Sequence, residues 1–542
     1  MANGSPLPTY VPKVQVLGVE AFEQPFRLRM PFRFGVITLT EGRQAFVRVH
    51  LRLDDGREGF GYAAEMLAAK WFDKNPELSD AENHDQLRKS IEISADAYRE
   101  APPSTAFDLF ADNYRYQLRA GRGAELPPLV ASFGNAIIDR AVLDAICRLL
   151  GVSFWTAMRS NLPGMTAHPA IADLGAFDFN GFLASLAPVA TIEARHTVGL
   201  VDPITAADQP PGTRVDDGLP ETLEEVVARY GQRCFKLKVG GDVRADLDRL
   251  LRIASVLDRI EGLHVTIDGN EQYEDVESAL ELWTAIEAEP GLHKLCAATL
   301  FIEQPIKRQV ALARSIAALA RLRPVIIDES DGELDAFPRA RALGYGGVSS
   351  KDCKGFYKSI VNLARCRVWN AESEAGDFFM SGEDLTTQAG LSVQQDLALV
   401  ALLGLDRRPQ FERRLDVVVL LVAVDRDMQP LDPVEDARDS QQPVDVGADV
   451  AADLELEAAL AVARDDFLER LRQAVVDARP RRLVGGGDRV KEADGVARFD
   501  RRDRCEARQE GVEVERAEIG DRRMRGHPRE VAAHRGPEAD AE

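Results

Sequence analysis

The sequence lacks a surplus of basic charge and lacks any apolar stretch long enough to cross a membrane. Its 542 residues carry a formal net charge of -22, which argues against binding to nucleic acid or to anionic membrane surfaces. The longest wholly apolar run, Val417 to Val424, is much shorter than the roughly 20 residues of a membrane span. The N-terminus has no basic segment followed by an apolar one, so secretion is not expected.

Paired cysteines are also lacking. The six cysteines are scattered and form no Cys-x-x-Cys pair, so neither a zinc ribbon nor a dithiol redox site is expected. Reduced thiols are typical of cytoplasmic proteins, and we expect this protein to be cytoplasmic.

The last part of the chain lacks residues that the rest of it uses freely. Residues 411–542 contain no Tyr, no Trp and a single lysine, Lys491, but 22 arginines. Arginine without lysine, with abundant Ala, Asp, Val and Gly, is what GC-rich DNA yields in a wrong reading frame. We interpret 406–542 as an atypical tail, either the product of a frameshift near 405–412 or a genuine extra domain. A helix is predicted within it at 453–478.

Residues 1–165 have the pattern of an α+β domain. Alternating and β-branched runs within 14–54 predict strands. The segment NAIIDRAVLDAICRLLG, residues 135–151, has an apolar face at helical spacing that ends at Gly151. An antiparallel sheet followed by helices is therefore predicted for this domain.

Residues 166–405 alternate between short apolar strands and amphipathic helices. Six consecutive pairs begin at CFKLKVG, HVTIDGN, TLFIEQPI, PVIIDES, GGVSSKDCKG and DFFMSGED, and a further strand is predicted at IEARHTVGL. Such repeats imply a parallel sheet, either open and doubly wound or closed as a (β/α) barrel. No glycine fingerprint follows the first strand, which disfavours the open, nucleotide-binding form.

Charged residues recur where these strands end. One aspartate at such a point usually caps the next helix, and one lysine is usually solvated. Charges at the ends of six successive strands instead indicate the active site of a barrel. These residues are Lys236, Lys238, Asp268, Glu303, Asp328, Glu329, Lys351, Glu383 and Asp384.

The residue types in this set indicate a metal and two bases. Asp268, Glu303 and Asp328 come from three adjacent strands and offer only oxygen ligands, which favours Mg²⁺, with Mn²⁺ as an alternative. Lys236 and Lys238 share one face of a strand, and a neighbouring ammonium lowers the pKa of a lysine, so that it can act as a base. Lys351 faces the metal from the other side, and two such lysines could move a proton on opposite faces of a carboxylate substrate.

The motifs KLKVGG, TIDGNEQY, FIEQPI, IIDES and SSKDCKG, in this order and spacing, resemble the enolase superfamily. Within it they resemble the muconate lactonizing enzyme-like group of the mandelate racemase/muconate lactonizing enzyme family, over residues 15–405. The resemblance implies an α+β capping domain, 1–165, followed by a modified TIM-type (β/α) barrel, 166–405. The barrel is expected to be incomplete at its C-terminal end, because nothing after residue 410 resembles an eighth strand and a last helix.

The resemblance also implies roles for individual residues. Asp268, Glu303 and Asp328 would bind Mg²⁺, Lys238 and Lys351 would be the acid and base, and Lys236 would lie on the substrate carboxylate. Asn270, Glu383 and Asp384 would contact the substrate, and residues 29–41 would form a mobile specificity loop. The expected activity is Mg²⁺-dependent removal of a proton alpha to a carboxylate, giving racemisation, epimerisation or cycloisomerisation of a small carboxylic acid.

Several alternatives stay open. The absence of histidine between His293 and His527 disfavours mandelate racemases and acid-sugar dehydratases or lyases. The motif SSKDCKG lacks the usual Lys-Pro of the sixth strand, which weakens assignment to muconate cycloisomerase, dipeptide epimerase or o-succinylbenzoate synthase, although each of these activities stays open. A catalytically impaired member with an incomplete barrel is the main competing interpretation, and a Schiff-base aldolase is a third. A homo-oligomer is expected if the barrel is intact.

Overall fold

The N-terminal part of the chain forms a three-stranded antiparallel sheet, seen in a computed structural model that describes residues 10–373, 378–383, 388–405 and 418–419. All of these residues lie in one unit, Met1–Val484. The strands are β1 (Val14–Phe34), β2 (Ile37–Leu53) and β3 (Glu58–Met66), in that order across the sheet. The predicted loop 29–41 is the tip of the β1–β2 hairpin, which turns at Gly35 with a φ of 52°.

Helices cover one face of this sheet because that face is apolar. Those before the barrel are Ala69–Phe72, Asp80–Glu100, Ala106–Gly123, Pro128–Leu150, Phe154–Arg159 and Phe179–Ser185, with a 3-10 helix at Pro169–Leu174. The helix Pro128–Leu150 approaches β3 so closely that a Cβ at Gly61 would lie 2.1 Å from the carbonyl oxygen of Ala141. This helix ends as predicted at Gly151, which is left-handed with a φ of 65°.

The second part of the chain is built on parallel strands. They are β4 (Glu193–Val198), β5 (Cys234–Lys238), β6 (His264–Asp268), β7 (Thr299–Glu303), β8 (Val325–Ile327), β9 (Gly347–Ser350), β10 (Phe379–Gly382) and β11 (Val418–Val419). The order in the sheet is β10-β9-β8-β7-β6-β5-β4-β11, so the strands from β4 to β10 follow the chain. The two-residue β11 pairs with the free edge of β4, where an eighth barrel strand would lie.

Helices follow the barrel strands, as the sequence predicts. They are Leu223–Tyr230, Val243–Leu257, Val276–Ala288, His293–Ala298, Arg308–Ala311, Ala317–Ala320, Ala336–Ala342, Phe356–Glu372 and Leu391–Leu403, with 3-10 turns at Ala206–Asp208, Pro290–Leu292 and Asp352–Lys354. The helical pattern of VALARSIAALARL predicts one helix over 310–322, but the structure has two short helices there, Arg308–Ala311 and Ala317–Ala320. The backbone amide of Ile316 donates to the carbonyl oxygen of Leu343 at 2.8 Å instead of to a carbonyl within the helix.

Apolar side chains fill the strand layer below the charged strand ends. Phe301, Ile326 and Phe379 form a buried cluster from β7, β8 and β10. Phe301 lies two residues before Glu303, and Ile326 two residues before Asp328, so each shares a strand face with the charge above it. A buried apolar layer therefore lies directly below the charged side chains at the strand ends.

The predicted fold class, an α/β barrel-type sheet preceded by an α+β cap, is confirmed. Whether the barrel is incomplete at its C-terminal end, as predicted, depends on residues that lie largely outside the described ranges. The predicted helix at 453–478 and the tail 406–542, apart from 418–419, lie outside the described residues. None of the helices in the described ranges is long and apolar enough to cross a membrane.

Candidate active site

The charged residues at the strand ends meet at one buried site. Lys238 and Asp268 are the last residues of β5 and β6, Glu303 is the last of β7, and Asp328 directly follows β8. Lys351 and Glu383 directly follow β9 and β10. All are buried, the most exposed being Lys238 at 7%. Because the strands are parallel, their C-terminal ends share one edge of the sheet, and the side chains meet there.

Lys236 lies at the centre of the carboxylates. Its Nζ is 2.9 Å from Asp268 Oδ2, 2.8 Å from Glu303 Oε2 and 2.6 Å from Glu383 Oε2. Burial alone would lower the pKa of Lys236, but these three carboxylates raise it well above its usual range. Lys236 is therefore a fixed cation that holds the carboxylates together.

Lys238 has one carboxylate partner and one cationic neighbour. Its Nζ is 2.6 Å from Asp268 Oδ2, the oxygen that Lys236 also contacts. Burial lowers the pKa of Lys238; the Asp268 carboxylate opposes this and Lys236 adds to it, so that the pKa stays below its usual value. This environment suits a lysine that must lose its proton near neutral pH.

Lys351 lies on the opposite side, with β6, β7 and β8 between its strand and that of Lys238. Its Nζ is 3.0 Å from Asp328 Oδ2. Burial would lower the pKa of Lys351, yet Asp328, together with Glu383 and Glu303, raises it well above the usual value. Lys351 is therefore an ammonium at neutral pH, the form that can donate a proton.

Two buried cations of the site were not predicted. Arg195 on β4 donates to Glu383 Oε1 through Nη2 and to Thr266 Oγ1 at 3.2 Å through Nη1. Lys354 Nζ lies 3.1 Å from Asp328 Oδ1. A signal for each was present, since Arg195 is a charge within the predicted strand IEARHTVGL and Lys354 stands in the quoted motif SSKDCKG.

The predicted substrate contacts have different outcomes. Asn270 donates a hydrogen bond from its side-chain amide to Glu329 Oε1 at 3.2 Å and one from its backbone amide to Asp268 Oδ1 at 2.8 Å. In this structure it therefore orients two carboxylates. Glu383 faces into the site, bound by Arg195 and Lys236. Asp384 lies outside the described residues.

The oxygen donors fit a hard cation in their chemistry. Oε1 of Glu303 is buried without a hydrogen bond in the described part of the chain, whereas Oε2 of Glu303 and Oδ2 of Asp328 each face a lysine ammonium. Burial raises the pKa of Glu303 well above its usual value, and the neighbouring charges of Asp268, Glu383 and Asp328 raise it further. A bound cation would relieve this repulsion.

The spacing of the same donors is set by Lys236. Across the described ranges, no group of three or more His, Cys, Asp or Glu side chains is arranged as a metal site. The Lys236 ammonium instead lies among Asp268, Glu303 and Glu383. The assignment of Asp268, Glu303 and Asp328 as metal ligands therefore stays a prediction.

Part of the chain matches a known protein family. Residues 218–402 match the family described as enolase C-terminal domain-like. No curated protein matches the sequence. Among solved structures, a substrate-liganded L-Ala-D/L-Glu epimerase from Bacillus subtilis is 15% identical and covers 75% of this chain and 89% of its own, with a TM-score of 0.46. An enolase from Bradyrhizobium complexed with magnesium and mandelic acid is 17% identical and covers 76% and 88%, with a TM-score of 0.47.

Proposed function

Because residues 218–402 match the enolase C-terminal domain-like family, we propose that the chain removes and returns a proton alpha to the carboxylate of a small carboxylic acid. The products would be those of a racemase, epimerase or cycloisomerase. One observation carries this proposal: Lys238 and Lys351 flank the same carboxylate cluster from strands on its two sides.

The two lysines would divide the proton transfer between them. Lys238, whose pKa is lowered, takes the α-proton from one face of the substrate, and Lys351, whose pKa is raised, returns one to the other face. Lys236 would bind the substrate carboxylate, for which its ammonium must exchange one of its contacts with Asp268, Glu303 and Glu383. Racemisation in the other direction exchanges the roles of Lys238 and Lys351.

Asp268, Glu303 and Asp328 would hold Mg²⁺ beside these lysines. When bound, Mg²⁺ would supply a Lewis acid that stabilises negative charge on the substrate carboxylate. The buried Oε1 of Glu303, which makes no hydrogen bond with the described residues, supports this assignment. The burial of the whole set excludes bulk water, which strengthens each charge interaction with the substrate.

A proton-exchange screen in D₂O tests the proposal. Acid sugars, N-acyl amino acids and dipeptides are incubated with the full chain and Mg²⁺, and loss of the α-proton is followed by NMR. Exchange is expected with at least one class, is expected to stop with EDTA, and should return with added Mg²⁺. Lys307→Met, which removes a surface lysine paired with Glu274, is the control and should exchange normally.

A catalytically impaired protein is the second candidate. The observation in its favour is that Lys236 already lies between carboxylates that would bind the metal. Absence of exchange across the whole panel, with the protein folded, would favour this alternative and refute the first proposal.

A further inference from the structure

Each proposed acid–base lysine lies against an aromatic ring from the N-terminal segment. Lys351 Nζ is 4.8 Å from the centre of the Trp71 ring, and Lys238 Nζ is 6.0 Å from the centre of the Phe34 ring. Trp71 belongs to the short helix Ala69–Phe72, and Phe34 is the last residue of β1. Both rings are buried. The electron-rich face of a ring attracts an ammonium at these distances.

We propose that Trp71 is a positioning residue that holds the Lys351 ammonium at the barrel mouth, with Phe34 as a weaker counterpart at Lys238. This assignment rests on the proposed function, because it matters only if Lys351 moves a proton. It gives the N-terminal segment a part in proton transfer in addition to covering the site.

The backbone of Trp71 is tied to the barrel. Arg308 donates to the carbonyl oxygens of Trp71 at 2.8 Å and Phe72 at 2.7 Å, and Glu271 holds Arg308 at 2.7 Å. The Phe72 ring packs edge-on against Phe133, with the ring centres 5.0 Å apart. The Trp71 ring is therefore a rigid surface whose place is set by barrel residues.

Lys74 makes a second tie next to the same ring. Its Nζ lies 2.6 Å from Glu271 Oε2 and 3.1 Å from Glu329 Oε1, and it donates to the carbonyl oxygen of Asn270 at 2.8 Å. Glu271 thus binds both Arg308 and Lys74, and it joins the two ties into one network. A shift of the Trp71 backbone would break contacts on both sides of the ring.

Lys351 depends on the ring more than Lys238 does. The Lys351 ammonium lies between Asp328 Oδ2, at 3.0 Å, and the Trp71 ring. The Lys238 ammonium has a shorter contact with Asp268, at 2.6 Å, and a more distant ring. The ring is therefore the second close contact of the Lys351 ammonium among the described residues, beside Asp328.

The first test separates the two faces of the substrate. Each enantiomer of an exchanging substrate is incubated separately in D₂O, and the enantiomer that Lys351 deprotonates is identified as the one that Lys351→Met no longer exchanges. Trp71→Leu is expected to lower kcat for that enantiomer by about 10- to 100-fold with little change in KM, and to affect the other enantiomer much less. Trp71→Phe should keep most of the activity. Phe34→Leu should lower kcat mainly for the other enantiomer, which Lys238 deprotonates, and by a smaller factor.

A matched control uses a second tryptophan with a cation on its face. Trp369 lies 4.7 Å from the guanidinium of Arg341, near the end of the helix Phe356–Glu372 and away from the barrel mouth. Trp369→Leu should leave the ratio of the two exchange rates unchanged. Equal slowing of both enantiomers by Trp71→Leu would refute the positioning role. If Trp71→Leu does not fold, Trp71→Met gives the same comparison.

The second test does not depend on activity. Urea unfolding midpoints are compared for Trp71→Leu, Lys351→Met and the double variant. A non-additive shift is expected, because each single change removes the same contact, whereas Trp369→Leu with Lys351→Met should be additive. Non-additivity without exchange by the parent chain would support the contact and refute the proposed function. Exchange with full additivity would refute the role of Trp71.

Discussion

The two sides of the barrel mouth use the same residue type in opposite ways. On one side, the pKa of Lys238 is lowered by burial and by the cation of Lys236, although Asp268 is 2.6 Å away. On the other, Lys351 is equally buried, and burial favours a lower pKa there too, but Asp328, Glu383 and Glu303 raise it. The sign of the pKa shift of a buried lysine is therefore set by the balance of neighbouring charges.

The two aspartates both have a lowered pKa, but their partners are arranged differently. Asp268 Oδ2 is shared by Lys236 and Lys238. Asp328 divides its partners between its two oxygens: Lys351 lies at Oδ2, while Ser349 and Lys354 bind Oδ1. Burial would raise the pKa of Asp328, but the lysines lower it well below its usual range. Asp268 also accepts from the backbone amide of Asn270 through Oδ1, but only Asp328 has a lysine on each of its oxygens.

Removal of each lysine gives the largest expected effect. Lys351→Met should lower the rate of α-proton exchange of one enantiomer by about 10²- to 10⁴-fold, and Lys238→Met should lower the rate of the other by a similar factor. The reason is that each variant removes the base on one face of the substrate. NMR in D₂O with separate enantiomers measures both rates. Loss of both enantiomers in each variant, with the fold intact, would contradict the division of the site into two sides.

Asp328→Asn should destabilise the chain more than Asp268→Asn. Loss of one partner from a buried ion pair costs about 3–5 kcal/mol, and Asp328 has a lysine on each oxygen, whereas both lysines of Asp268 share one oxygen. A carboxylate whose folded pKa is depressed contributes stability above its unfolded pKa, and that stability is lost as pH falls through the folded pKa. The cost of Asp328→Asn in urea unfolding should therefore be larger at pH 7 than at pH 3.

If the two substitutions lower the free energy of unfolding equally at pH 7, the expected difference between Asp328 and Asp268 is wrong. Ser330→Ala is a suitable control, because its hydroxyl accepts from Gln304 at 2.8 Å and lies outside both lysine contacts. Its cost should not change between pH 7 and pH 3.

A second buried ion cluster lies behind Lys351. Arg140 contacts Glu65 at 3.0 Å and Asp352, the residue after Lys351, at 3.6 Å. Burial raises the pKa of Glu65 to about 7, against the attraction of Arg140. The folded state therefore favours protonated Glu65, and this contribution to stability is complete below about pH 4.5 and lost as pH rises through about 7.

Glu65→Gln should remove this pH dependence. We expect the parent chain to lose up to about 3 kcal/mol through Glu65 between pH 4.5 and pH 8, and the variant to have a flatter profile in urea unfolding. Glu58→Gln, an exposed position on the same strand that is paired with Arg52, is the control and should keep the slope of the parent. An unchanged slope in Glu65→Gln would show that the cluster does not titrate in this range.

Ser349→Ala should have the smallest effect. The Ser349 hydroxyl donates to Asp328 Oδ1, and loss of a hydrogen bond to a charged group costs about 1.5–3 kcal/mol. Since Lys354 still holds the same oxygen at 3.1 Å, the loss should fall at the lower end of that range in urea unfolding. A loss as large as that of Asp328→Asn would mean that Lys354 does not support Asp328 independently.

The sequence predicts the fold well because the necessary signals are local. Apolar strand runs followed by helical periodicity place β4 to β10 in the correct order, and charges at their ends locate the site. The helix expected at 310–322 is broken by a contact with Leu343, and no local pattern reports such a bond. Arg195 was missed for a similar reason, since its partner Glu383 lies 188 residues away.

The sequence by itself determines which residues stand at the strand ends, because strand and helix periods and the burial of parallel strands are properties of neighbouring residues. Only the tertiary structure decides which lysine has the lowered pKa, where Lys236 lies, and that Trp71 meets Lys351. These outcomes depend on charges and rings that approach within a few ångströms from distant parts of the chain. Electrostatic interaction depends on that distance in space and not on separation along the sequence.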